Sequence, residues 1–536
     1  MKTPLPITDF LEQNALLFTN EMALIERKYC VNDVVKKREC DHNGDNFNLL
    51  FRKILTWSEF DHRANQVANL LLFYNVKKGD KVALLMMNCL EWLPIYFGIL
   101  KTGALAVPLN YRYTSDELQY CLTLAECSVL IFASDFTSHI RCIRYQIPMV
   151  SRFIFVGDNP LDFAEDYNTI INTFVGIAPG INLTDYDLAA IYFSSGTTGF
   201  PKAILHNHRS LLAVGKTEQV HHKQTHGDVF LCIPPLYHTG SKMHWFGNLM
   251  SGGSAVLLLN ISPRWILETV AQEQITIAWL LLPWVQDILD AISSGDVSIE
   301  KYDLSCWRLM HMGAQPIPES LIYRWLKQFP NQKYDTNYGL SEAAGPGCVH
   351  LGIHNVCKIG AIGQAGYGWE TVILDNNKIP VKRGEIGELA VKGDGVMVEY
   401  YKNPKSTEEI LHNGWLLTGD MAYEDEDEFI YLVDRKKDLI VSGGENIYPI
   451  QIENFLRKHS EIKDAAVIGF PDVRLGEIAV AIIELKQGSK CDKKDIFMFC
   501  KELPEYKRPR KLIFAPIPRN PTGKIEKNKL RRQYIQ

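Results

Sequence analysis

Apolar side chains never run uninterrupted for the roughly 20 positions that a membrane-crossing helix needs. Met1 to Phe10 also lacks the basic stretch and apolar stretch of a secretory leader, so a cytoplasmic protein without integral membrane association is expected. Twelve cysteines are present, but no two form a CxxC pair, which speaks against a disulfide framework or a paired-thiolate zinc site. Cys348, His350, His354 and Cys357 are the one metal-like grouping, and their spacing follows no ligand pattern, so a metal is not expected there. Net charge is scarce as well: -5 over 536 residues, which excludes the strongly basic balance of a nucleic-acid binder. The phosphate and nucleophile signatures GxxxxGK[ST], GxGxxG and GxSxG are all missing, so the chain is neither a Walker-type ATPase nor an elbow-type hydrolase.

What is present is a large globular composition, 46% hydrophobic and 11% aromatic, long enough for two or more packed units. From Leu55 to Phe132, helical patterns over Phe60 to Phe73, Trp92 to Thr102 and Ser115 to Leu124 alternate with strand-like runs at Lys81 to Met86 and Ala104 to Leu109. That alternation predicts a mainly parallel sheet wrapped by helices. Gly79-Asp80, Phe97-Gly98, Gly103 and Asn110 are echoed by Gly227-Asp228, Phe246-Gly247, Gly253 and Asn260, which reads as a duplicated α/β subdomain. A turn-rich β region spans about Gly360 to Val433, with the acidic run Glu424 to Glu428 as a solvated hairpin turn. Beyond Asp434-Arg-Lys-Lys-Asp438 comes a compact α+β pattern, with helices near Pro449 to Lys458 and Lys493 to Glu502 and strands at Ala465 to Gly469 and Ala479 to Leu485. Residues 1–434 therefore read as one large domain of duplicated α/β subdomains plus a β-rich subdomain, and 435–536 as a small α+β domain. From Ser489 to Gln536 fourteen basic residues face five acidic ones, as a cap closing on an anionic ligand would require. Lys36 to Asn48 is polar and aperiodic and reads as a surface loop.

The densest chemical signal is Tyr192-Phe-Ser-Ser-Gly-Thr-Thr-Gly-Phe-Pro-Lys202. Glycines let backbone N–H groups approach an anion, hydroxyls add donors, and Lys202 adds a full charge, which together suit a polyphosphate.

Ser194 to Lys202 resembles the phosphate loop of the adenylate-forming superfamily of acyl-CoA synthetases, carrier-loading adenylation domains and luciferases. Pro235-Leu-Tyr-His-Thr-Gly240, Asn337-Tyr-Gly-Leu-Ser-Glu342, Leu417-Thr-Gly-Asp420, Asp434-Arg-Lys-Lys-Asp438, Ser442-Gly-Gly-Glu-Asn446 and Pro521-Thr-Gly-Lys524 resemble the family's other motifs in its order. Ala203 and Ser341 depart from the usual glycine and threonine, and neither change removes a charge.

The resemblance implies a two-step reaction: a carboxylic acid attacks ATP to give acyl-AMP, and the acyl group then passes to the thiol of coenzyme A. Two unit charges about 4 Å apart repel by roughly 1 kcal/mol in water and roughly 4 kcal/mol at an effective dielectric near 20, so the first step needs cations. By resemblance, Ser194, Ser195, Gly196, Thr197, Thr198, Gly199 and Lys202 hold the polyphosphate, and Glu342 with Thr197 takes Mg2+. Tyr338 offers its ring and Asn337 its amide to adenine, within a string that includes Gly339 and Ser341; Gly313, Ala314 and Gln315 form the adenine-flanking turn. Asp420 takes the ribose hydroxyls and Arg435 the ribose or phosphate. His238 lies beside the substrate carboxylate, Gly443 and Gly444 lie near the pantetheine path, Lys437 marks the hinge of a mobile C-terminal domain, and Lys524 serves adenylation. His206, His208, His221, His222 and His226 follow no ligand order and are read as surface.

An acyl-CoA synthetase is the leading reading, with ATP, Mg2+ and coenzyme A. Loading of a fatty or aryl acid onto a carrier protein is the alternative, and a nucleotide sensor without catalysis is a third. Ser241 to Met250 offers no carboxylate for an amino-acid amine, which disfavours amino acids. Tyr237, Met243, Trp245, Phe246, Trp279, Trp284 and Ala343-Ala344-Gly345 fall near segments that line the acyl pocket in relatives and point to an apolar or aryl acid. A homodimer is compatible with the sequence.

Overall fold

The computed structural model describes residues 5–29, 50–194, 201–313, 317–519 and 525–535. Two mainly parallel sheets form the body. One has eight strands and is centred on Lys81–Leu85, Leu105–Pro108, Val129–Ala133 and Leu188–Ser194. The other has nine and is centred on Val229–Cys232, Ser254–Leu259, Ile277–Leu281, Leu309–Gly313 and Lys333–Leu340.

The internal echo is a structural repeat. Lys81–Leu85, the helix Trp92–Lys101 and Leu105–Pro108 form one parallel βαβ unit; Val229–Cys232, Thr239–Met250 and Ser254–Leu259 form the other. Each opens on the same turn. The Lys77 N–H donates to Asp80 Oδ2 at 2.8 Å, and the Thr225 N–H donates to Asp228 Oδ2 at 2.8 Å. The aspartates recur because a short carboxylate can satisfy a backbone donor that a tight turn would orphan. The two repeat helices are buried on nearly every face because they lie between the sheets and have no solvent side. Lys242 on the second helix reaches the rings of Trp92 and Tyr96 on the first and Tyr192 on a strand. Burial pushes its ammonium down to about 7.

Helix starts follow local capping rules. The helix expected from Phe60 begins at Trp57, because Thr56 and Glu59 close a reciprocal capping box; Thr114 and Glu117 do the same for Ser115–Ala125.

The turn-rich region forms a five-stranded antiparallel sheet that includes Trp369–Leu374, Gly387–Gly393, Trp415–Glu424 and Ile430–Arg435. The acidic run is the hairpin turn between the last two, and it is more than solvated: Arg383 pairs with Glu424 and Glu428, and Lys358 with Asp425 and Asp427. After Lys436–Asp438 the chain enters a second five-stranded sheet, whose core pair is Ile462–Asp472 with Gly476–Leu485, flanked by Pro449–Leu456 and Lys493–Phe499. Residues Lys36 to Asn48 lie outside the described residues.

Candidate active site

The strand Lys333–Leu340 carries Asn337, Tyr338 and Gly339 and runs into the short turn Ser341–Ala343 that holds Glu342. Gly339 is dictated by packing. A Cβ there would lie 1.9 Å from the Gly345 carbonyl oxygen, because the two backbones close on each other at this point.

Asp420 sits where Trp415–Glu424 pairs with Ile430–Arg435, opposite Arg435 itself. Its carboxylate is buried and held from both sides: Tyr338 Oη donates to Oδ2 at 2.6 Å, and Arg435 Nε lies 2.9 Å from Oδ1. Burial and then the Asp420 charge push the Tyr338 phenol well up, so it remains a donor. Burial works hardest against the Arg435 charge, but Asp420 together with Tyr338, Asp438 and Glu342 outweighs it, and the guanidinium stays above its ordinary range.

Glu342 is organised by a residue that no motif singles out. Tyr400 Oη donates to Glu342 Oε1 at 2.7 Å, and Lys202 Nζ lies 4.4 Å from the centroid of the Tyr400 ring. One tyrosine thus joins the loop lysine to the expected metal ligand. Two backbone bonds fix the same turn: the Met397 N–H donates to the Glu342 carbonyl at 2.8 Å, and His206 Nε2 lies 2.8 Å from the Ser341 carbonyl. Glu342, Tyr400, Thr418, Gly419 and Lys436 border one cavity of about 300 Å3. Glu342 presents a half-buried carboxylate at its edge, a hard oxygen donor that suits Mg2+ carried by phosphates, while the neighbouring lysine suits the phosphates themselves.

Ser194 and Lys202 face each other in an antiparallel pair. Ser195, Gly196, Thr197, Thr198, Gly199, Ala314, Gln315 and Lys524 lie outside the described residues. Gly313 ends its strand beside Asn337 and Trp279: a Cβ there would lie 3.8 Å from Asn337 Oδ1 and 3.3 Å from Trp279 Nε1. His238 caps the helix Thr239–Met250, its Nδ1 accepting from the Gly240 N–H at 3.1 Å. Lys437 lies in the Lys436–Asp438 turn, where burial and then Arg435 hold its ammonium below the usual range. Gly443 and Gly444 both take positive φ in the exposed hairpin turn between Ile440–Ser442 and Glu445–Ile447.

Two groups of residues are placed differently from the sequence reading. Trp245 and Phe246 pack against Phe97 in the core, Trp245 also against Phe60, and Tyr237 packs against Tyr111. Trp279 and Met243, by contrast, gather around Gly240, Gly313 and Gly345. Three of the five histidines read as surface are not: His206, His208 and His222 are wholly buried, whereas His221 is half-buried against His350 and His226 is exposed, pairing with Glu21. For His222 the polar neighbours on its helix hide this, since Asp335, one of its two carboxylate partners, comes from a distant strand. Cys348, His350, His354 and Cys357 do not converge: Cys348 bonds the Tyr338 carbonyl, His354 meets Lys223, Cys357 is exposed, and only His350 joins a buried cluster.

Residues 37–401 match the family described as AMP-binding enzyme, and residues 451–524 match its C-terminal domain. The long-chain-fatty-acid–CoA ligase FadD13 of Mycobacterium tuberculosis is 30% identical over 483 residues, covering 90% of this chain and 93% of its own. A feruloyl-CoA synthase of an Amycolatopsis species is 31% identical over 484 residues, with 90% and 94% covered. Among solved structures, the anthranilate CoA ligase AuaEII in complex with anthranoyl-AMP superposes with a TM-score of 0.87 at 25% identity, covering 99% of this chain and 98% of that one.

Proposed function

Because the chain belongs to the AMP-binding enzyme family and is an AMP-forming acid–thiol ligase, which makes an acyl-AMP from ATP and passes the acyl group to coenzyme A, we propose that its acid is compact, aryl or short and apolar. The observation that carries this is Trp279. Its indole occupies the space between Gly240 and Gly313, and the His244 ring packs against it with centroids 4.4 Å apart and planes tilted by 39°, with buried charged groups beyond. A long alkyl chain would have to displace both rings and lie against carboxylates. The feruloyl and anthranilate relatives favour the same reading, and the long-chain relative favours its rival.

Within that reaction Asp420 accepts the ribose hydroxyls, pre-oriented by Tyr338 and Arg435, and Asn337 meets adenine. Lys202, with Thr197 and Thr198, holds the phosphates. Glu342 and Thr197 are the residues that hold Mg2+, whose chemistry when bound is to neutralise phosphate charge. His238 orients the acid, and Lys524 faces the charge that builds as the carboxylate attacks. Residues 435–536 turn about Lys437 between the two half-reactions and bring Gly443 and Gly444 to the pantetheine path. The enzyme works in the cytoplasm on this reading.

The test is a panel from acetate through long-chain to aromatic acids, with pyrophosphate and thioester measured in the presence and absence of CoA. Benzoate- or cinnamate-type acids should give the highest kcat/KM. A clear preference for long-chain acids would overturn the compact pocket.

A further inference from the structure

Behind Asn337 lies a polar cluster that the ligase reaction does not use. Glu218 and His222 come from the helix His208–His222, His244 from Thr239–Met250, His311 from Leu309–Gly313, Asp335 from Lys333–Leu340, and His350 from Gly345–His350. All six are buried. Two carboxylates are thus removed from water, and the partners that reach them are imidazoles together with the Asn337 amide and backbone N–H groups; no lysine or arginine pairs with either one among the described residues.

Imidazolium charges alone would leave the geometry unexplained. His311 is fully buried, and neither of its ring nitrogens has a hydrogen-bond partner. His222 Nδ1 lies 3.2 Å from Glu218 Oε2 at an angle that makes no hydrogen bond. One donor atom each from Glu218, His222 and His311 lies within 4.8 Å of the others. A buried polar nitrogen without a partner is rare in a folded protein and calls for a ligand.

We propose that Glu218, His222 and His311 bind a divalent transition-metal ion, Zn2+ in the first instance, as a buried site separate from the Mg2+ that accompanies ATP. Imidazole and carboxylate donors suit such an ion. The second layer matches as well. His222 Nε2 lies 3.1 Å from Asp335 Oδ2, the carboxylate support that fixes the tautomer of a metal-bound imidazole. Glu218 Oε1 accepts from Asn337 Nδ2 at 2.8 Å and lies 3.3 Å from His350 Nε2. The ion would tie a helix to a strand directly beneath Asn337, whose amide Nδ2 already donates to Glu218.

The test uses the full chain without an affinity tag, purified without chelators from zinc-supplemented medium, with metal content measured by mass spectrometry. Near-stoichiometric zinc is expected, and Asp335→Asn should weaken its affinity by about 10- to 100-fold while the protein stays folded. His311→Leu separates the readings most sharply. If His311 is a ligand, the variant loses the zinc and melts lower; if it is an unsatisfied core imidazole, the apolar replacement melts at the same temperature or higher. His222→Gln gives a second, size-matched loss of a ligand should His311→Leu fail to fold. Wild-type protein that neither carries zinc nor takes it up on dialysis overturns the proposal, as does zinc retained in folded His311→Leu or His222→Gln.

Discussion

Replacing Tyr400 with phenylalanine removes one oxygen from a wall that otherwise stays intact. The ring remains under Lys202, while Glu342 loses the 2.7 Å hydrogen bond to its Oε1. A hydrogen bond to a charged group contributes about 1.5–3 kcal/mol, and the lower end applies because Glu342 is only half-buried and water can replace the phenol. That is roughly a tenfold effect. Burial and the Glu342 charge raise the Tyr400 phenol far above its ordinary range, so it donates throughout the working pH range and the effect should not vary with pH there. Tyr400→Leu also removes the ring beneath Lys202 and forfeits a further ~0.5–2 kcal/mol of cation–π attraction. Pyrophosphate release titrated with Mg2+ at fixed ATP is the assay. Tyr400→Phe should need about tenfold more Mg2+ for half-maximal rate, and Tyr400→Leu more again. Wild-type behaviour in both variants would refute the argument, and identical losses in both would show that the ring does not matter to Lys202.

Lys524→Ala should lose adenylation by about 10²- to 10³-fold, yet convert supplied acyl-AMP and CoA to thioester at close to the parent rate; equal losses in both steps would count against a role confined to the first. Lys437→Pro fixes the hinge backbone and should spare adenylation more than thioester formation, which separate half-reaction assays resolve. Asp420→Ala leaves Tyr338 and Arg435 without their shared acceptor; KM for ATP should rise, and discrimination between ATP and 2′-deoxy-ATP should collapse, whereas retained discrimination would place the ribose elsewhere. Burial pushes the linker carboxyl Asp434 up to about 6, so the folded state holds this proton more tightly than the unfolded chain does. The resulting stabilisation, about 3 kcal/mol, is complete below about pH 4 and lost as pH rises through about 6. The stability difference between wild type and Asp434→Asn in urea should therefore change across that window and flatten above it, and parallel curves from pH 4 to 8 would refute the assignment.

The parts that were legible from sequence are those whose physics is local. The Asp80 and Asp228 turns are closed by residues three positions away, so their repetition could be seen in the chain and then found in the fold. The string Asn337 to Glu342 likewise travels on one strand and its turn. Tyr400 was not legible, because it meets Glu342 across 58 positions through a strand pairing that no local pattern announces. His222 failed for the same reason. Its helix reads as polar, and the carboxylate that makes its burial tolerable is Asp335, 113 positions later. Trp245 and Phe246 show the converse error: bulky residues beside the His238 motif look like pocket lining, but their helix is enclosed between two sheets, where those rings are core.

The chain from Gly387 to Tyr400 leaves the antiparallel sheet and adds Glu399–Tyr400 to the outer side of Lys202–Asn207, making Glu399–Tyr400 the end strand of the eight-stranded sheet. The Val398 and Tyr401 N–H groups continue the pairing, donating to the carbonyls of Leu205 and Ala203 at 2.8 Å each. An uncovered strand rim is a template for a second copy of the chain. The short segment that orients Glu342 is therefore also an edge guard: a side-chain change at Tyr400 touches only the first duty, whereas loss of the segment removes both. A short in-frame deletion between Gly393 and Glu399 should reveal itself first as self-association through the bared rim, before any kinetic measurement on the nucleotide site can be made.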